Sequence, residues 1–147
     1  MEALIIKKSI EINAPKEKIW ETLLQDEYNR IWYAEFSPGA YAETNWQEGS
    51  KVAFKDESGG GIIGTIVANK FGKLLSIEYH GIVKNNTEDY DSEEAQAVKG
   101  GREIYRLVEN NGATQLEIEV EMGEDMYEMM SSAWNKALQK VKELAEA

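Results

Sequence analysis

The chain opens with alternating apolar and polar residues. Between residues 4 and 12 every second residue is apolar except Lys8, which is the period-2 pattern of a half-buried strand. Pro15 suits the first turn of a short amphipathic helix. Asp26 is expected to cap a second short helix, which should end before Ser37-Pro38-Gly39 breaks the pattern. Two small helices are therefore predicted after the first strand.

The middle of the chain predicts consecutive strands separated by glycine-containing turns. The predicted strands cover residues 40–44, 51–56, 62–69 and 74–83. Residues 85–96 are polar and acidic without periodicity and predict a solvated loop. Two further strands, 102–109 and 113–122, flank an Asn-Asn-Gly turn, and Asn-Gly between alternating runs is a strong hairpin signal.

The last segment predicts the longest helix. From Glu124 onward, apolar residues recur at steps of three and four over about five to six turns. They are Tyr127, Met130, Trp134, Ala137, Leu138, Val141 and Leu144. The opposite face is polar, so the stripe must be covered by the sheet. The order of elements predicts one α+β domain over residues 1–147, with about seven antiparallel strands, two short helices after strand 1 and one long C-terminal helix.

Composition narrows the possible partners. A chain of 147 residues is long enough for a single core. Its formal net charge of −11 repels nucleic acids and anionic membrane surfaces, so neither is expected as a partner. Cysteine is absent, which excludes disulfides and thiolate chemistry and fits a reducing compartment. The charged N-terminal segment is not typical of a signal peptide or a membrane span. We expect a cytoplasmic protein that does not insert into membranes.

Several local motifs, taken in order, resemble a known superfamily. They are residues 12–20 (INAPKEKIW), 32–39 (WYAEFSPG), 46–50 (WQEGS), 103–107 (EIYRL), 114–116 (TQL) and 134–138 (WNKAL). Together they resemble START-related, or SRPBCC, domains of the helix-grip fold, which is also the fold of the Bet v allergen. Within that superfamily they resemble the bacterial branch related to the activator of the heat-shock-protein-90 ATPase. The resemblance implies a curved sheet with a cavity between it and the C-terminal helix, where relatives bind lipids, sterols, polyketides or other apolar molecules.

Aromatic residues are our main candidates for lining that cavity, because large aromatic side chains supply apolar contact area and a polar edge that orients a ligand. Methionines at the start of the long helix are added because thioethers adapt to ligands of varied shape. The candidate ligand-binding set is Trp32, Phe54, Tyr79, Glu103, Tyr105, Met126, Met130 and Trp134. The competing interpretation is that these side chains simply fill the core, and for the methionines it is the simpler one.

Glu103 is the one acidic residue in this set. It shares parity with Tyr105 and Leu107, so its carboxylate could point into the apolar space, where burial would raise its pKa. The simpler expectation is that Glu103 pairs with a basic neighbour or lies at the rim of the sheet. His80, the only histidine, has the opposite parity from Tyr79 and should face water.

Metal and phosphate sites are not predicted. Asp89, Asp91 and Glu93 alternate like the start of a calcium loop, but the glycine expected at the sixth position and the glutamate expected at the twelfth are missing. Residues 59–61 are three glycines with no following Lys-Ser or Lys-Thr, so they predict a flexible turn. We expect no metal and no cofactor.

Three functional hypotheses remain. The first is a binding protein, rather than an enzyme, that encloses a small hydrophobic molecule and has no catalytic residues. The second is an enzyme of the polyketide cyclase type, in which Glu103 acts with Tyr79 or Tyr105 as acid and base. The third is a co-chaperone-like interaction module whose acidic surface meets a chaperone partner. Fold similarity alone does not decide among them.

Overall fold

The computed structural model describes residues 3–147. Its elements are β1 (Ala3–Ile12), α1 (Lys16–Leu24), α2 (Asp26–Tyr33), β2 (Tyr41–Glu43), β3 (Lys51–Lys55), β4 (Gly61–Lys70), β5 (Leu74–Lys84), β6 (Thr87–Asp89), α3 (Glu93–Val98), β7 (Arg102–Asn110), β8 (Ala113–Gly123) and α4 (Glu124–Glu146). The predicted strands and the long helix are all present, with bounds shifted by a residue or two. The expected α+β helix-grip fold is confirmed.

All strand pairings are antiparallel and form one sheet in the order β1-β8-β7-β5-β4-β3-β2, with β6 added beside β5. The first strand pairs with the last strand, from Ala3 opposite Gly123 to Ile12 opposite Thr114, and the sheet is curled. The helix α4 lies on the inner face of this curled sheet. Strands β1 and β2 are the two edges.

The segment 85–96 is more ordered than the sequence suggested. It contains β6 and the start of α3, so the prediction of a solvated loop is wrong. Ser92 caps α3 by accepting a hydrogen bond from the backbone N–H of Ala95 at 3.1 Å, and the Asp89 carboxylate accepts from the N–H of Asp91 at 3.0 Å. A helix of six residues is too short to show a period in the sequence, although its Ala95 is fully buried.

The second helix begins differently from the prediction. Asp26 is the first helical residue and not the cap, which is Gln25 without a side-chain hydrogen bond. Asp26 instead forms an ion pair with Arg30 one turn later, with 2.8 Å between carboxylate and guanidinium. A carboxylate in the first turn and an i,i+4 pair each favour a helix, so the residue keeps its role in starting α2 by another route.

The core lies between α4 and the inner face of the sheet. The buried residues of α4 are Trp134, Ala137, Leu138, Val141 and Ala145, and they pack with the inward residues of β1, β5, β7 and β8. The predicted stripe is confirmed from Trp134 to Val141, whereas Tyr127 and Met130 near the start of the helix and Leu144 near its end are only half-buried. No helix among residues 3–147 is both long and apolar enough to cross a membrane.

The C-terminal end of α4 is attached to the end of β1. The ammonium group of Lys142 donates a hydrogen bond to the backbone carbonyl of Glu11 at 3.0 Å. Glu146, which also forms an ion pair with Lys142, accepts from the backbone N–H of Asn13 at 2.8 Å. These contacts fix the position of the helix along the edge strand.

The docking of α4 can be tested with two neighbouring positions. Leu138→Ala removes a side chain that is 4% exposed and should lower the free energy of unfolding by about 2–5 kcal/mol, because it loses apolar burial and leaves a cavity. Gln139→Ala, on the exposed face of the same turn, should change the free energy of unfolding by less than about 0.5 kcal/mol. Urea denaturation measures both, and equal effects would contradict the packing described here.

Candidate functional site

Three polar side chains meet on the inner face of the sheet. Glu103 and Tyr105 alternate along β7, and Glu103 is paired with Ile77 of β5 on one side and with Val120 of β8 on the other. Tyr79 follows Ile77 by two residues and therefore lies on the same face. The three side chains, here called the Tyr-Glu-Tyr cluster, lie in the middle of the sheet, beneath the space that α4 covers.

Glu103 is buried, at 8% exposure, so the expectation of a rim position or an ion pair is wrong. Its pairing with two core strands explains the burial, because neither neighbour lies at the edge of the sheet. Within residues 3–147, no basic side chain comes within ion-pair distance of its carboxylate. The inward orientation considered as the alternative is the one that the structure shows.

The carboxylate of Glu103 is held by hydroxyl groups. The Tyr79 hydroxyl donates to Oε1 and the Tyr105 hydroxyl donates to Oε2. Each carboxylate oxygen thus has one buried donor, which partly replaces the water that the group loses on folding.

Burial sets the protonation behaviour of the cluster. It raises the pKa of Glu103, although the hydrogen bonds from Tyr105 and Tyr79 lower that pKa in part. Burial, and secondarily the charge of Glu103, also raises the pKa of both tyrosines well above the ordinary value. The tyrosines therefore remain hydroxyl donors at neutral pH, and the carboxyl group is the one that titrates most easily.

An aromatic cluster lies over these polar groups. Trp134 of α4 has its ring centroid 5.9 Å from that of Tyr105, 6.0 Å from that of Trp32 and 4.9 Å from that of Phe36. Phe54, which is half-buried, packs against Tyr33 with 6.1 Å between ring centroids. The cluster connects α2, β3, β7 and α4.

Two members of this cluster, Tyr33 and Phe36, were not among the sequence candidates. Phe36 follows Trp32 by four residues, a spacing that places two side chains on the same side of a helical turn, and this signal was available. Tyr33 is buried, and its pKa is raised first by burial and then by the charge of Glu103. Its proximity to Glu103 depends on how α2 docks on the sheet, which no local pattern indicates.

The indole of Trp134 is buried, and its N–H has no hydrogen-bond partner. By contrast, the indole N–H of Trp32 donates to the backbone carbonyl of Thr22 at 3.2 Å. Buried donors in folded proteins are nearly always paired, because an unpaired one loses its bond to water without replacement. Among residues 3–147, the Trp134 N–H is therefore a buried donor without a hydrogen-bond partner.

The remaining candidates lie near the start of α4 or away from the interior. Met130 is half-buried, and Met126 is 42% exposed on the first turn of the helix. His80 lies on the other side of the sheet from the cluster, half-exposed, with its Nε2 atom 2.8 Å from the Thr65 hydroxyl. No three His, Cys, Asp or Glu side chains among residues 3–147 come together as a metal site.

Two clefts open on the surface, away from the Tyr-Glu-Tyr cluster. The larger, of about 520 Å³, lies between α2 and β2 and is lined by Leu24, Asp26, Asn29, Arg30, Tyr41, Ala42, Glu43, Thr44, Asn45 and Trp46. The second, of about 420 Å³, surrounds β6. Neither includes a residue of the candidate set. The candidate aromatic residues instead pack against one another in the space between α4 and the sheet.

The architecture defines a class of protein. A sheet curled around a long C-terminal helix, with two short helices after the first strand, is the helix-grip fold of START-related domains. Residues 13–146 match the family described as activator of Hsp90 ATPase homolog 1-like protein, and the chain belongs to this family. No curated protein sequence matches the chain.

Solved structures with the same fold are distant in sequence. The Aha1 dimer from Colwellia psychrerythraea is 17% identical with a TM-score of 0.74, covering 97% of this chain and 96% of that one. ChR145 from Cytophaga hutchinsonii is 23% identical with a TM-score of 0.72, covering 99% and 97%. DynU16, a protein in the dynemicin biosynthetic locus, is 10% identical with a TM-score of 0.73, covering 97% of this chain and 47% of that one. At these identities the likeness shows the fold alone.

The burial of Glu103 predicts a specific pH dependence of stability. Because its pKa is raised in the folded state, the folded protein binds this proton more tightly than the unfolded chain, so stability falls as pH rises from the ordinary glutamate range through the raised value. Glu103→Gln removes this loss. The free energy of unfolding of E103Q minus that of the wild type should therefore increase with pH, as measured by urea denaturation between about pH 4 and pH 8.

The matched control is Glu117→Gln, the same substitution on the outer face of β8. The free-energy difference of E103Q from the wild type should change with pH more than that of E117Q. A difference for E103Q that changes with pH no more than that of E117Q would contradict a raised pKa for Glu103.

Proposed function

We propose that this protein binds a small, largely apolar molecule between the inner face of the sheet and α4. The observation that supports this best is the Tyr-Glu-Tyr cluster, a small group of polar atoms whose member Tyr105 packs its ring against that of Trp134, 5.9 Å between centroids. Small-molecule sites typically combine an apolar wall with a few placed polar groups that fix the orientation of the ligand.

The family gives independent support at a coarser level. The helix-grip fold is a small-molecule-binding type, and DynU16, which shares it, belongs to a biosynthetic locus. These relationships favour a ligand of the natural-product, lipid or sterol kind without identifying it.

Access is most easily explained at the N-terminal end of α4. Met126 and Met129 are exposed there, at 42% and 59%, and Met130 is half-buried, whereas full burial of the helix begins only at Trp134. The first two turns therefore have less packing to lose than the rest of the helix, and unbranched thioethers repack at low cost. A ligand would enter by displacing these turns and separating Phe36 from Trp134.

Titration monitored by NMR tests this proposal. With a panel of uncharged aromatic compounds, sterols and lipids, we expect shifts at the Trp134 indole N–H and at the amides of Tyr79, Tyr105 and Met130. The indole of Trp46, which lines the outer cleft, serves as an internal control and should not move. Shifts confined to Trp46 and its surroundings, or no shifts with any compound, would contradict binding in the interior.

A second candidate function is acid-base catalysis by the Tyr-Glu-Tyr cluster. It is favoured by one observation, the direct hydrogen bonds from Tyr79 and Tyr105 to a carboxyl group whose pKa is raised by burial. A correctly positioned proton donor or acceptor typically accelerates a reaction by a factor of about 10²–10⁴.

The catalytic alternative can be separated from simple binding. A molecule that co-purifies with the protein, identified by native mass spectrometry, would be incubated with wild type and with E103Q, and its conversion followed by chromatography. A catalytic role predicts that E103Q loses at least about a hundredfold in rate while still binding the molecule. If the molecule is bound but never converted by the wild-type protein, the catalytic candidate is wrong and the binding proposal stands.

A further inference from the structure

We propose that the interior site selects uncharged ligands that have a hydrogen-bond acceptor for the Trp134 indole, and that Glu103 excludes ligands with a carboxylate group. This inference rests on the proposed function and specifies the chemical class of its ligand. The ligand would be a ketone, ester, ether or alcohol on an apolar skeleton. A free fatty acid would not be accepted.

The requirement for an acceptor follows from Trp134. Its side chain is 3% exposed, and the rings of Phe36, Trp32 and Tyr105 surround it at centroid distances of 4.9–6.0 Å. The chain supplies no partner for its N–H. A ligand oxygen that accepts this hydrogen would satisfy the donor, whereas a pure hydrocarbon of the same shape would leave it unpaired.

The exclusion of carboxylates follows from Glu103. Tyr105 contacts both sides of the site, because its ring packs against Trp134 while its hydroxyl binds the Glu103 carboxylate. A ligand anion bound at Trp134 would share the same low-dielectric interior with the Glu103 carboxylate, where like charges repel strongly. Among residues 3–147 no basic side chain pairs with Glu103, so no cation is placed there to receive the anion. The overall charge of −11 adds repulsion at longer range.

An uncharged ligand is also favoured over a cationic one. Both oxygens of Glu103 already accept hydrogen bonds from buried tyrosine hydroxyls, so the carboxylate is partly satisfied without a counter-ion. An ammonium group would have to give up its water in exchange for a carboxylate that is already hydrogen-bonded, which makes its burial costly. A neutral ligand with a hydrogen-bond acceptor is therefore expected to bind more tightly than an anionic or a cationic ligand.

Four naphthalene compounds of similar size test this order. They are 2-acetylnaphthalene with a neutral acceptor, naphthalene with none, 2-naphthoate with a carboxylate and 2-naphthylmethylamine with a cation. Each is titrated into the wild-type protein at pH 7, and the dissociation constant is taken from NMR shifts, with the Trp134 indole resonance assigned from its loss in Trp134→Phe. We expect 2-acetylnaphthalene to bind at least about tenfold more tightly than the other three and to shift the Trp134 N–H.

Substitutions then assign each preference to a side chain. Glu103→Gln should narrow the difference between ketone and carboxylate by about tenfold, and Glu117→Gln on the outer face should leave it unchanged. Trp134→Phe keeps an aromatic ring and should abolish the advantage of the ketone over naphthalene. If either variant fails to fold, as judged by circular dichroism, the ranking of the four compounds on the wild-type protein still decides.

The outcomes distinguish a failure of the ligand selectivity from a failure of interior binding. Carboxylate or amine binding as tight as that of the ketone, or ketone binding without movement of the Trp134 N–H, would overturn the selectivity while leaving interior binding in place. Binding by none of the four compounds would overturn the selectivity, whereas the proposed function fails only if the sterols and lipids of the wider panel also give no shifts in the interior.

Discussion

The apolar stripe of α4 packed on the inner face of the curled sheet is the contact on which the rest of the structure depends. Strands β1, β5, β7 and β8 each expose one row of apolar side chains toward it, and none of these rows could be buried without the helix. The candidate site lies in the same interior, where Glu103 is 8% exposed and its charge acts on Tyr33 of α2.

A buried carboxyl group in that interior is a cost that the apolar packing must offset. Replacing buried polar groups with apolar ones of similar shape is often neutral or stabilising, so Glu103 and its two tyrosine donors contribute little to the fold that an apolar trio would not. The buried, unpaired N–H of Trp134 likewise does not stabilise the fold. Buried polar groups that do not stabilise the fold are expected at functional sites, such as a ligand-binding site.

The sequence predicted the fold well because its longest elements have clear periods. The alternation in β1 and β8 and the three-and-four spacing in α4 extend over 10 to 23 residues, which is enough to identify type and buried face. The short elements β6 and α3 were missed for the opposite reason. For Glu103, parity was visible in the sequence but burial was not, because it depends on which strands pair on either side of β7. The contacts of Trp134 with Phe36 and Tyr105 likewise join segments far apart in the chain.

The attachment of Lys142 to the Glu11 carbonyl has a consequence for how the protein behaves at high concentration. Strand β1 is ten residues long and lies at the border of the sheet, so its outward backbone groups could template the addition of a strand from another molecule. The lysine occupies one of those acceptors, and its ion-pair partner Glu146 occupies the backbone N–H of Asn13 just beyond the strand. The opposite border, β2, has only three residues and offers little length to copy. Side chains of the last helix thus occupy backbone groups at one end of the longer edge strand, which disfavours the addition of a strand from another molecule there.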